Sequence, residues 1–201
     1  MARASALKTE VAALKRARIL EHSRELFARK GYQNTTLDEI AGSLEVTKPF
    51  IYSYYANKGA ILFEISQLGI ACSLQVMNEI RAHDISPREK LFRLVEEVTV
   101  VTLQNQDNLA VYLREEKELD PDRSKEIMEK RGEFDHGIAD ILEDGIAKGQ
   151  FDINDVSVTS KTIGGMISWV VYWYRPGGSQ SHEAVGRMIA DMVMKIVSRP
   201  G

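Results

Sequence analysis

Between Thr36 and Lys58 the chain sets hydroxyls and lysines at close spacing. Thr47, Lys48, Tyr52, Ser53 and Tyr54 offer several hydroxyls and one cation, a set that suits phosphate oxygens and base edges. Lys58 adds a second cation where a helix begins, beside backbone N–H groups that themselves attract anions. Catalytic chemistry has no comparable cluster. His22, His83, His136 and His182 are scattered, and Cys72 is the single cysteine, so no metal-ligand spacing exists. The serines form no nucleophile elbow, and no dinucleotide or Walker glycine pattern occurs; Gly177-Gly178 follows a helix and reads as a turn. Glu115-Glu116 and Glu118 read as a solvated charged face. No catalytic residue, metal or cofactor is expected, and the chain does not read as an enzyme.

The elements that position this cluster are helices. Leu14, Ala17, Leu20, Leu26 and Phe27 form an apolar stripe on a first helix that stops near Lys30-Gly31. Thr36-Leu37-Asp38-Glu39 is a capping box that opens a short second helix ending near Leu44. Thr47 caps a short third helix with Pro49 in its first turn. The tight connection at Leu44-Glu45-Val46 has helix-turn-helix spacing, with Leu37, Ile40, Ala41, Val46 and Ile51 as its core. Asn57 caps a longer fourth helix running toward Ile80. Ser86-Pro87 and Asp120-Pro121 each read as a cap followed by proline at the first helical position. A shorter helix lies between them over 108–119, and Gly149 stops the one that Asp120 opens. Two more follow, over 154–174 and 181–198. The fold class is all-α with about nine helices: a helix-turn-helix domain over 1–58 and a larger helical domain over 59–201.

The 201 residues carry a net charge of −3, which alone argues against a nucleic-acid partner. The distribution argues for one. Residues 1–58 hold ten basic and six acidic residues, and the remainder sixteen and twenty-three, so a head of +4 sits on a body of −7. The lone cysteine, the absence of a signal-peptide core and the interruption of the Met166–Tyr174 run by Ser168 lead to an expected cytoplasmic location without a membrane partner.

The segment from Arg16 to Leu62 resembles the DNA-binding domain of the TetR family of transcriptional regulators. Ile19-Leu20, Leu26-Phe27, Gly31-Tyr32, Thr35-Thr36, Ile40-Ala41, Val46-Thr47-Lys48, Tyr52, Tyr54-Tyr55 and Asn57-Lys58 stand at family spacing. The resemblance implies a homodimeric repressor that binds a palindromic DNA operator and is released by a small-molecule inducer, and it assigns ligand binding and dimerisation to the domain over 59–201. It also implies phosphate contacts from Thr36, Tyr52, Tyr54 and Lys58, and base contacts from Thr47, Lys48, Pro49 and Phe50. Three departures stand out. Glu45 replaces the usual turn glycine, where a left-handed backbone would cost roughly 1 kcal/mol. Phe50 replaces a small hydroxyl residue and could meet a thymine methyl. Tyr54 replaces a common histidine and keeps a hydroxyl.

In the body, Ile163, Met166, Ile167, Trp169, Val170, Val171 and Trp173 make the eighth helix apolar almost all round, which requires burial on more than one face. Met188, Ile189, Met192, Val193 and Ile196 give the ninth a matching stripe. A two-fold four-helix interface would bury both; a purely intrachain core is the alternative. Phe92, Leu113, Met128, Phe134, Met166, Trp169 and Trp173 could line a ligand cavity or simply be core, and Arg175 could hold an anionic end or only cap the C-terminal carbonyls of its helix. Trp173-Tyr174-Arg175-Pro176-Gly177-Gly178 resembles a segment of TetR regulators of fatty-acid and sterol side-chain catabolism, which implies an acyl-CoA inducer. A multidrug-type sensor, or a helical interaction module that has lost DNA binding, are the other readings.

Overall fold

The computed structural model describes residues 2–198, with side chains from Leu7 onward. Among them are α1 (Ala2–Lys30), α2 (Leu37–Ser43), α3 (Lys48–Tyr52), α4 (Lys58–Ala82), α5 (Pro87–Gln104), α6 (Gln106–Glu115), a 3-10 turn (Glu116–Glu118), α7 (Pro121–Ala147), α8 (Val156–Trp173) and α9 (His182–Val197). No strand occurs among the described residues, so the all-α expectation holds.

Local chemistry accounts for most boundaries. Ser86 and Asp120 accept the backbone N–H of Glu89 and Arg123 at 3.2 and 3.0 Å, with Pro87 and Pro121 as the first helical residues. Asn57 caps α4 through the N–H of Ala60 at 2.8 Å. Gly149, at φ +67°, ends the segment after α7 in the left-handed conformation that glycine adopts without steric cost.

The chain gathers into two compact units, Met1–Gln67 with Asp107–Ser124, and Leu68–Gln106 with Lys125–Gly201. In the first, Ile19, Leu26 and Phe27 of α1 are buried together with Ile40, Ala41, Ile51, Tyr55, Ile61, Leu62 and Ile65. The buried stripe of α1 therefore differs from the expected one: Leu14 is 65% exposed and Ala17 faces solvent. Residues 107–124, assigned from sequence to the body, belong to this unit.

The second unit is built round α5. Leu91, Leu94, Val95 and Val98 pack with Phe134, Ile138, Ile141 and Leu142 of α7, Ile163, Ile167 and Val170 of α8, and Val185, Ile189 and Val193 of α9. Gly186 lets α9 lie close on α5, because a Cβ there would stand 2.6 Å from the Glu96 carbonyl oxygen. Among the described helices only α4 is long and apolar enough to cross a membrane, but Ile61, Leu62 and Ile65 are fully buried in one core and Met77 and Ile80 are buried in the other.

α8 buries one face within the chain, so a purely intrachain core does not account for its second apolar face. Within one chain only Ser160, Ile163, Ile167 and Val170 are buried. Val158, Trp169, Tyr172 and Trp173 stand on the opposite side and remain 48–61% exposed, with no second layer over them among the described residues.

Candidate nucleic-acid interface

The helix-turn-helix rests on the capping box that sequence predicts. The Glu39 N–H donates to the Thr36 hydroxyl at 3.2 Å, and the Thr36 N–H donates to the Glu39 carboxylate at 2.9 Å. Lys30 also donates to that carboxylate, and this bond, then the one from the Thr36 backbone, lowers the Glu39 pKa from 4.5 to about 2. Ile40 and Ala41 turn inward, and the chain folds back at once: Val46 N–H bonds the Ala41 carbonyl at 3.0 Å. This return puts Glu45 at φ +57°, the single positive φ at a non-glycine among the described residues. The departure from glycine at this position therefore carries the expected strain, of about 1 kcal/mol.

α3 begins at Lys48. Thr47 holds the N-cap position but makes no capping bond with its side chain, contrary to the sequence expectation, so its hydroxyl stands exposed at the helix end. Pro49 lies in the first turn and is exposed, while Ile51 alone is buried and anchors the helix. Tyr52 is 51% exposed. Phe50 is held on two sides, by the Tyr54 ring at 5.2 Å and by the Lys15 ammonium 5.6 Å from its centroid. It remains partly exposed beside the N-terminal end of α3.

The cations are engaged inside the unit. Lys48 pairs with Asp38 at 2.8 Å, an exposed bridge that raises the lysine pKa chiefly through that hydrogen bond. Such pairs contribute roughly 0–1 kcal/mol, so a phosphate or guanine can displace the carboxylate at little cost. Asp38 was legible only as a member of the capping box; nothing at ten residues' separation marks it as the partner of Lys48. Lys58 is turned inward, a difference from the free phosphate anchor expected. Its ammonium donates to the carbonyls of Tyr32 and Thr35 at 2.7 Å and of Gln33 at 3.4 Å, and lies 4.1 Å from the Tyr32 ring centroid. Burial lowers its pKa. It closes the α1–α2 loop onto the start of α4.

The expected solvated face at Glu115-Glu116-Glu118 is also corrected. Glu115 is buried and accepts from Arg114 at 2.8 Å, and Glu118 accepts from Gln33 at 2.9 Å. Arg114 donates to the carbonyls of Phe27 and Ala28, covering the C-terminal end of α1. α6 and its 3-10 turn are thus bound to the unit that carries α2 and α3. The contacts to Phe27, Ala28 and Gln33 span more than eighty residues and leave no local signal.

The residues proposed for a ligand cavity divide between the two units and differ in burial. Leu113 lies in the first unit, Phe134 is core, and Phe92 and Met166 are half-buried against that core. Met128, Trp169 and Trp173 are 58%, 61% and 48% exposed. Arg175 donates to the carbonyls of Tyr172 and Tyr174 at 3.3 and 3.2 Å, the helix-capping role. A cavity of about 370 Å³ in the second unit is lined instead by Val76, Val100 and Val101 with Glu96, Glu97 and Glu183. No cluster of metal-ligating side chains occurs among the described residues.

Residues 19–65 match the model of bacterial regulatory proteins of the tetR family, and residues 84–197 match the tetracyclin repressor-like C-terminal domain. The HTH-type transcriptional repressor KstR2 of Mycolicibacterium smegmatis is 27% identical over 185 residues, 90% of each chain. The structure of the TetR family regulator PfmR from Thermus thermophilus superposes with a TM-score of 0.81 at 27% identity, over 88% of this chain and 97% of that one. AibR in complex with isovaleryl coenzyme A and operator DNA shares the fold, with a TM-score of 0.74 at 22% identity over 92% and 99%. With a capped helix-turn-helix in one unit and matched models over most of the chain, the protein belongs to the TetR family and is a DNA-binding transcriptional regulator.

Proposed function

We propose that this regulator is a repressor that binds a palindromic operator as a homodimer and leaves it when a small molecule occupies the domain over 59–201. The observation that carries the DNA reading is the exposed N-terminal end of α3, where the Thr47 hydroxyl caps nothing and Lys48 is held only by a weak exposed pair. Thr47, Lys48, Pro49 and Phe50 meet base edges, and Thr36, Tyr52, Tyr54 and Lys58 meet phosphates, Lys58 by exchanging a carbonyl for a phosphate oxygen. The partner is duplex DNA, so the site of action is the cytoplasm.

The dimer uses the outward faces of α8 and α9. Val158, Trp169, Tyr172 and Trp173 on one, and Met188, Met192 and Ile196 on the other, form exposed apolar stripes of the kind a two-fold contact buries. Gel shift with upstream DNA and light scattering test both points: a monomer, or a dimer that shifts no duplex, contradicts the proposal and favours an interaction module.

The inducer is an acyl-CoA thioester in this reading. Its support is the Trp173–Gly178 segment together with the fold shared with AibR, which was solved with isovaleryl coenzyme A. One observation favours a second reading. The open cavity lined by Val76, Val100, Val101 and three glutamates, of which Glu96 is paired with Arg187, suits an apolar cation better than an anion. Thermal-shift screening of acyl-CoAs against cationic drugs, followed by operator release, separates them. By linkage, the true inducer must weaken operator affinity by the ratio of its affinities for the two states.

A further inference from the structure

The basic character of the head does not reside in the helix-turn-helix. Of the ten basic and six acidic residues over 1–58, five basic and five acidic lie in 19–58, which are neutral together. The whole excess of +4 lies in residues 1–18, with five basic residues against Glu10. Those residues precede the family match at 19–65, yet they continue α1 back to Ala2. Inside the helix-turn-helix, Lys30 and Lys48 are paired with carboxylates and Lys58 with carbonyls. Arg16 is committed to Glu64 and to the Tyr55 ring.

The N-terminal half of α1 also has a defined aspect. Lys15 lies over Phe50 of α3, so that side of α1 runs beside the recognition helix. Seven residues later on the same side, His22 Nδ1 is 3.2 Å from the Ser43 hydroxyl at the end of α2. Seven residues earlier stands Lys8. At 100° per residue, heptad spacing returns to within about 20° of the same face, so Lys8 continues the row roughly 10 Å beyond α3. Glu10 stands about 140–160° away from Lys8 and Lys15, and Leu7 and Leu14 about 100° away, so no acid interrupts the row; the 42% exposed Val11 lies between the two lysines, about 40–60° from them.

We infer that the N-terminal extension of α1 is a second DNA-contacting element, in which Lys8 and Lys15 bind duplex phosphates flanking the half-site read by α3. The inference rests on the DNA reading of α3. The extension supplies the sequence-independent attraction that the neutral helix-turn-helix lacks, and α3 supplies the base contacts.

The test uses full-length wild type, Lys8→Ala, Lys8→Glu and Lys48→Ala. Duplexes are first selected from a random pool by the wild type, then made with long or trimmed flanks. Lys8→Ala favours the helix and touches no core, so folding is checked by a thermal melt. The expected result is an affinity loss of about fivefold per half-site near 0.15 M salt, with the salt slope reduced by about one per half-site. Lys8→Glu loses more, the preferred bases stay the same, and trimming the flanks erases the difference from wild type. Equal affinities and slopes for wild type and both Lys8 variants on long duplexes overturn the inference. If Lys48→Ala alone changes binding, the α3 reading survives without it. A folded wild type that selects and binds no duplex overturns both.

Discussion

Replacing Lys58 by alanine separates a structural clasp from a simple phosphate contact. The ammonium makes two bonds of 2.7 Å to the Tyr32 and Thr35 carbonyls and lies 4.1 Å from the Tyr32 ring centroid. Deleting a hydrogen bond to a charged group costs about 1.5–3 kcal/mol, and an exposed cation–π contact adds roughly 0.5–1. The loop is only partly buried, so water takes over part of the carbonyls' demand, and the net loss is about 2–3 kcal/mol. In a chain of this length that lowers the melting temperature by roughly 4–12 °C. A residue that touched only DNA would leave the melt within the ±0.5 kcal/mol scatter of surface changes while lowering the salt slope by about one per half-site. Melting curves without DNA and operator titrations at several salt concentrations give both numbers. An unchanged melt with a reduced slope would refute the clasp and return Lys58 to a purely phosphate-binding role.

Three further outcomes follow from the same unit. Glu45→Gly relieves the left-handed backbone at φ +57°, and after the entropy gained by the unfolded chain it stabilises by at most about 0.6 kcal/mol in a denaturant melt; a destabilised variant would mean the turn is not strained. Asp38→Asn removes the carboxylate that holds Lys48, so operator affinity rises several-fold at low salt and the gain shrinks at high salt, while stability falls by about 0.3–1 kcal/mol through the first turn of α2; weaker binding would show that Asp38 positions Lys48 for DNA. Glu39 has a folded pKa of about 2 against 4.5 unfolded, so its contribution is complete above pH 4.5 and is lost as pH falls toward 2. Wild type therefore loses more stability across that window than Glu39→Gln, and parallel acid melts of the two would contradict the capping-box account.

What was legible in the sequence was whatever short-range chemistry decides. The Thr36–Glu39 box, the Ser86-Pro87 and Asp120-Pro121 starts and the strained Glu45 turn each depend on residues within a few positions, and each is present. Thr47 had the right type for a side-chain cap, but its hydroxyl makes no such bond, since N-cap position and capping bond are separate choices. The carbonyls that hold Lys58 lie 23–26 residues away, so its position at a helix start marked it as a phosphate anchor and not as the group that closes the α1–α2 loop. Trp169 and Trp173 show the same limit from the apolar side. A helix apolar all round must hide two faces, but periodicity does not say whether the second is hidden by a cavity wall or by another chain.

The most direct test of the DNA-binding account is selection of bound duplexes from a random pool by wild type and by Lys48→Ala, sequenced in parallel. The wild type should enrich two inverted half-sites related by a dyad, as a two-fold dimer requires. Lys48→Ala should keep the dyad and relax one base position in each half-site, at a cost of about 1–3 kcal/mol. No enriched motif, or the same motif from both proteins, would contradict base reading by the N-terminal end of α3.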